Sequence, residues 1–204
     1  MCSSDLIIMN SRILDLGCGK NKIKGSIGLD NVPLDDVDIV HDILNIPYPL
    51  EDNSFDKIYL RNVLEHFLLK DIRIILSECY RLLSSNGNLI ITIPHAFSVA
   101  AYTDITHKSY FTFNSGKFFD KTHPQSYYEE LPQYNFKLVE IDCKTCWFDW
   151  KGKILRKFDL ILSKLANKQL SNALKNMKKP SLADRIVKKN SYQFVEIKWT
   201  FKKK

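Results

Sequence analysis

The segment Ile13-Leu14-Asp15-Leu16-Gly17-Cys18-Gly19, with Ile27-Gly28-Leu29-Asp30 shortly after it, limits what this chain can fold into more than any other stretch. It predicts a strand, a glycine turn, a second strand and a carboxylate at the tip of that strand. The apolar run from Ile13 to Leu16 suits a parallel strand buried on both faces. Glycines directly after it let the backbone approach a ligand where a Cβ would collide. Asp30 closes the strand Ser26 to Leu29, and a carboxylate in that place accepts hydrogen bonds from the paired hydroxyls of a ribose. The unit reads as a nucleotide cradle.

Details of the loop decide which nucleotide. A dinucleotide site carries a third glycine that lets the helix pack under the pyrophosphate, and position 22 here is Lys22. The acid arrives 11 positions after Gly19, whereas dinucleotide folds space it about 20 residues on. Gly19-Lys20 runs into Asn21 and not into Ser or Thr, so no phosphate-binding loop of the ATPase type is present.

Further landmarks follow in order. Asp38-Ile39-Val40-His41-Asp42-Ile43-Leu44 is a short apolar strand with an acid behind it. Phe55 to Leu60 leads into Arg61-Asn62-Val63-Leu64-Glu65-His66. Glu78 to Leu83 leads through Asn86-Gly87 into Leu89-Ile90-Ile91-Thr92-Ile93-Pro94-His95. Over residues 11–113 this succession resembles the class I S-adenosylmethionine-dependent methyltransferases. The resemblance implies an α/β fold with a seven-stranded, mostly parallel, doubly wound sheet closed by a C-terminal antiparallel hairpin. It implies S-adenosylmethionine as cofactor and a role for each landmark. Asp15 would receive the α-ammonium, with Gly17 and Gly19 admitting the methionine tail. Asp30 would take the ribose. Asp42 would accept from the adenine amino group while Ile43 packs on the ring, and Asn62 and Val63 would offer main-chain carbonyls beside the sulfonium. The chain departs from the family in one respect: only Lys20 to Gly25 is left for the first helix, which must be shortened.

The remaining elements are coarser. Strands are predicted at 12–17, 26–30, 38–40, 55–60, 87–93, 136–143 and 192–202. In the last, Phe194, Glu196, Lys198 and Thr200 alternate with Val195, Ile197, Trp199 and Phe201, the two-residue period of a strand with one wet face. Helices are predicted at 62–68, 69–84 and about 112–131. Residues 149–190 form a long connection, in which Ile154, Leu155, Phe158, Ile161, Leu162 and Leu165 recur at helical spacing among lysines and arginines. A basic helical insertion in a single domain spanning 1–204 is expected.

Charge is split along the chain. Residues 151–204 hold 16 Lys and Arg against 3 Asp and Glu, and residues 1–150 hold 14 against 20. Such asymmetry suits contact with a nucleic acid or an anionic membrane surface as well as a solvated helix face. Between residues 151 and 190, Phe158 is the one aromatic interleaved with the basic residues, a pattern single-stranded nucleic-acid binding uses, so nucleic acid is disfavoured and peripheral membrane contact stays open. Five cysteines and no apolar run of 18 residues argue for a cytoplasmic protein without a disulfide framework. No metal is expected, because Cys143-Lys144-Thr145-Cys146 stands without a second pair.

Methyl transfer needs alignment, and a base only where the acceptor must lose a proton, as an alcohol must. Ligands bind at the carboxyl ends of the strands in open α/β sheets. The candidates there are His95, directly after the fifth strand, and His107, with Asp104 three residues before it as an orienting acid. The Asp104-Ile105-Thr106-His107 segment resembles one in bacterial methyltransferases of surface-glycan and small-metabolite pathways. A small-molecule or glycan-type acceptor methylated at a hydroxyl is therefore the expectation. A nucleic-acid methyltransferase or binder, or an inactive cofactor-binding scaffold, are the alternatives.

Overall fold

Strands as short as four residues need neighbours on both sides, and in the computed structural model β1 and β2 have them. The structure describes residues 12–123, 134–147, 184 and 193–204. Seven strands, β1 (Ile13–Leu16), β2 (Ile27–Asp30), β3 (Ile39–Val40), β4 (Phe55–Arg61), β5 (Leu83–Pro94), β6 (Phe136–Trp147) and β7 (Gln193–Lys203), form one sheet in the order β3-β2-β1-β4-β5-β7-β6. The first five are mutually parallel, and β7 runs antiparallel to both β5 and β6. Strand order reverses at β1, with β2 on one side and β4 on the other, and such switch points are where open sheets leave a crevice for ligands.

The core follows from the apolar patterning. Leu14, Leu16, Leu29, Ile58, Leu60, Leu89, Ile91 and Ile93 are fully buried along the central strands. In β7 the predicted alternation is realised, with Val195, Ile197, Trp199 and Phe201 all excluded from solvent. Helix α1 (Leu69–Leu82) buries Ile72, Ile75, Leu76, Cys79 and Leu82, one stripe at helical spacing. A second helix, α2 (Ala100–Thr103), is a single turn. No helix among the described residues is long and apolar enough to cross a membrane.

Three expected helices turn out otherwise, each for a local reason. Between β1 and β2, where a shortened helix was expected, the described backbone is a series of turns. The segment 62–68 gives only a 3-10 turn, Leu64–His66. Asn62 enters it at φ 54°, outside the helical region, and the Glu65 carbonyl accepts from Lys108 N–H (2.7 Å) and Ser109 N–H (3.0 Å) instead of from the next helical turn. The segment after Thr112 forms a 3-10 turn at Ser115–Phe119. Gly116 lies flat against the Trp199 indole, where a Cβ would come within 2.7 Å of the ring, and Asp120 stops the turn by accepting from Thr122 N–H and Leu138 N–H. The rest of that predicted helix, and the basic insertion at 149–190 apart from Asp184, lie outside the described residues.

Candidate active site

The glycine turn sits where the sequence put it. Gly17 adopts φ 70° and Gly19 φ 51°, the left-handed region that favours glycine. A Cβ on Gly17 would also meet Val63 Cγ2 at 2.6 Å, so the turn presses directly on the segment after β4. Gly17 N–H donates to Leu29 O (2.8 Å), which ties the turn to β2.

What replaces the missing helix is a network of charges. Asp15 is fully buried, and its carboxylate accepts from Arg61 Nη2 (2.6 Å), Arg61 Nε (3.2 Å) and Ile23 N–H (2.9 Å). In the β1–β4 register Asp15 lies opposite Tyr59, so Arg61, two residues on, points to the same face. Arg61 also donates to Asn21 O. Lys22 pairs with Asp38 (2.8 Å), which in turn accepts from Gly28 N–H (2.7 Å). The sequence reading required a cation for this buried acid and supplied the cofactor's ammonium. The structure supplies Arg61 instead, and both Asp15 oxygens are occupied.

Beside this network lies a cleft of about 200 Å³ walled by Gly17, Leu29, Asp30, Ile43, Asn62 and Val63. Asp30 accepts from Gly19 N–H (2.8 Å) and Val32 N–H (3.1 Å). An ionised carboxylate offers about four lone-pair sites, so two remain for a ligand. Asp42 is exposed and outside the cleft wall; its Oδ1 accepts from Leu44 N–H (2.9 Å), which caps a turn. The Val63 carbonyl accepts from His66 N–H (3.2 Å), so it serves the 3-10 turn. His41 and Asn31, to which the sequence reading gave no part, also line the cleft. Asn31 could have been found from its place directly after Asp30.

At Asn62 and His66 the cleft meets a larger cavity of about 700 Å³, lined also by Glu65, Pro94, Thr103, Asp104, His107, Lys144 and Glu196. His107 is half-buried and its Nδ1 hydrogen-bonds Ala101 O (2.8 Å), which fixes the proton on Nδ1 and leaves Nε2 with a free lone pair. Asp104 is not its partner. The Asp104 carboxylate accepts from Thr106 N–H (2.8 Å) and Thr106 Oγ1 (2.6 Å), which hold it below the usual carboxylate range. Thr106 Oγ1 is in turn 2.9 Å from His66 Nδ1, and the His66 and His107 rings meet edge to face at 4.9 Å. Desolvation, followed by the neighbouring His107, lowers the His66 pKa.

His95 is ruled out as a base by its surroundings. It is fully buried; its Nε2 is 2.9 Å from Asp184 Oδ1 and its Nδ1 accepts from Phe97 N–H (3.1 Å). Asp184 also accepts from Phe113 N–H (3.0 Å) and Asn114 Nδ2 (3.3 Å). His95 is thus a joint of the framework. Glu65 is the residue that sequence reasoning missed. It is 1% exposed and neither carboxylate oxygen has a hydrogen-bond partner among the described residues. Burial pushes its pKa up to about 8, with Asp104 and Glu196 adding to the rise.

A methyltransferase-domain family matches residues 29–91, the stretch from β2 into β5 that carries the cleft wall and Glu65-His66. A S-adenosylmethionine-dependent methyltransferase from Archaeoglobus fulgidus superposes with a TM-score of 0.53 at 19% identity, over 98% of this chain and 90% of that one. The chain has the fold of the class I S-adenosylmethionine-dependent methyltransferases. The chain is also similar, at lower TM-scores, to the YcgJ protein of Bacillus subtilis (18% identity, 98% and 97% covered, TM-score 0.44). It is likewise similar to phosphoethanolamine N-methyltransferase 2 of Haemonchus contortus (15% identity, 98% and 52% covered, TM-score 0.41). No curated protein matches by sequence. The cleft suits the family's cofactor in its own chemistry: glycine backbone at β1, a carboxylate with spare acceptor sites at β2, and the buried apolar side chains of Ile43 and Val63.

Proposed function

We propose that this methyltransferase acts in the cytoplasm on a hydroxyl of a small-molecule or glycan-type acceptor held in the 700 Å³ cavity. The observation that carries this reading is the junction at Asn62 and His66, where the cofactor cleft opens into a cavity whose wall includes His107. A volume of that size is ordinary for a small-molecule site, which typically measures about 300–1,000 Å³.

When bound, S-adenosylmethionine supplies a methyl carbon already activated by the sulfonium. The protein's task is therefore alignment and proton handling. Asp30 holds the ribose hydroxyls, Ile43 and Val63 wall the cleft, and Asn62 marks its boundary with the acceptor. Asp15 and Arg61 keep the glycine turn in place. His107 activates the acceptor: its Nδ1–H is anchored on Ala101 O, and Nε2 can take up the proton that the hydroxyl loses.

The test is incubation of the protein with methyl-labelled S-adenosylmethionine and fractionated cell extract. Label in an ether linkage of a small or sugar-containing product supports the reading. Label in an amine, a protein or a nucleic acid overturns it.

A further inference from the structure

Glu65 is anomalous. A buried carboxylate without partners costs several kcal/mol and is normally compensated by a cation or by donors. None is in place among the described residues. Its surroundings show what is absent. Glu65, His66 and His107 each offer one donor atom, and these atoms lie within 4.8 Å of one another.

The cluster is also held in position. The Glu65 carbonyl receives both Lys108 N–H and Ser109 N–H, which clamps the loop carrying His107 onto the turn carrying Glu65 and His66. Each imidazole is tied back through Nδ1, His107 to Ala101 O and His66 to Thr106 Oγ1, with Thr106 bound in turn to Asp104. Ring nitrogens fixed in this way, by a carbonyl or by a hydroxyl leading to a carboxylate, are the outer support that metal-ligating histidines use, and they leave Nε2 to the ion.

We propose that Glu65, His66 and His107 bind a divalent transition-metal cation of the zinc class, with its open coordination positions turned to the acceptor cavity. Two imidazole nitrogens and one carboxylate oxygen form a donor set for zinc and its first-row neighbours, whereas magnesium and calcium prefer oxygens throughout. A shared ion sits about 2.0–2.2 Å from each donor, so binding draws the three side chains closer. The ion neutralises Glu65 and leaves room for an acceptor oxygen. In this the inference rests on the methyltransferase reading and replaces the base role of His107. With Nε2 on the ion, the acceptor hydroxyl binds the cation, which lowers its pKa, and its proton passes to solvent.

The test uses chelator-treated full-length protein titrated with Co²⁺ and, separately, with Zn²⁺. Wild type should bind one equivalent of Co²⁺, seen as visible d–d absorption without a thiolate charge-transfer band, and Zn²⁺ should displace it. Glu65→Gln and His107→Ala should each weaken binding at least about 100-fold. Glu65→Gln keeps the shape and removes the carboxylate ligand, so it should melt cooperatively and lose the zinc-induced rise in melting temperature shown by wild type. Equal titration of wild type and Glu65→Gln, a thiolate band, or no binding by wild type overturns the site. S-Adenosylhomocysteine binding, measured on the same samples by calorimetry, separates the two readings: its loss with the metal site intact counts against the methyltransferase assignment alone.

Discussion

The two sides of Asn62 treat buried charge in opposite ways. On the β1–β2 side buried Asp15 is answered by Arg61 and Ile23 N–H, and half-buried Asp38 by Lys22 and Gly28 N–H. On the acceptor side Glu65 is buried with nothing opposite it, between two imidazoles whose outer nitrogens are already fixed. A satisfied network supports the fold and holds a shape. An unsatisfied one is tolerated where ligand binding completes it.

Substitutions can break or sharpen that contrast. The largest effect should come from the acceptor side: His107→Ala is expected to reduce turnover by about 10²- to 10⁴-fold, the range of general acid–base catalysis, while leaving S-adenosylhomocysteine affinity unchanged by calorimetry. On the paired side, Arg61→Ala leaves Asp15 buried without its cation. It should cost about 3 kcal/mol in chemical denaturation, a loss of framework.

Glu65→Gln should do the reverse and stabilise the metal-free protein in a pH-dependent way. Near pH 4 the carboxyl is protonated in both folded and unfolded states, so the variant and wild type should match. Between that point and the folded pKa of about 8 the unfolded chain releases the proton first, and wild-type stability falls as pH rises. At pH 9 the variant should be ahead by roughly 4–5 kcal/mol in urea melts. Equal stability at pH 9 would mean that Glu65 has a partner after all.

Smaller effects mark the cleft itself. Asp30→Ala should weaken S-adenosylhomocysteine binding by about 1.5–2 kcal/mol, the worth of hydrogen bonds to a charged group. Asp42→Ala removes only a turn cap on the surface and should alter neither cofactor affinity nor stability by more than about 0.5 kcal/mol.

The sheet and its glycine turn were legible because their signals are local: apolar runs, glycines and an acid within 20 residues. The demand that buried Asp15 meet a cation was also legible, since it follows from the cost of burying charge. The identity of that cation was not, because Arg61 arrives through strand pairing 46 positions away. His66 and Glu65 were undervalued for the same reason. Their meaning depends on His107, which reaches them through main-chain bonds from Lys108 and Ser109 to the Glu65 carbonyl. Asp104 and His107 misled in the opposite direction, because three-residue spacing suggested a pair where a Thr106-centred turn had already claimed the acid. The expected helix at 62–68 failed at Asn62, whose left-handed backbone no periodicity reveals.

The reversal of β7 has its own consequence. Because β7 runs against β5, Glu196 stands opposite Pro94 and Gln193 opposite Trp147, so β6 leaves the sheet and β7 enters it at the rim where the parallel strands end. Trp147 and Gln193, the ends of the two strands, therefore lie together at that rim, and Lys144 and Glu196 form part of the wall of the acceptor cavity. Asp184 hydrogen-bonds His95, the Phe113 N–H and Asn114. Lys144 and Glu196 wall this cavity and not the cofactor cleft, so a change of residue at this doorway alters what is admitted while the cradle keeps its shape.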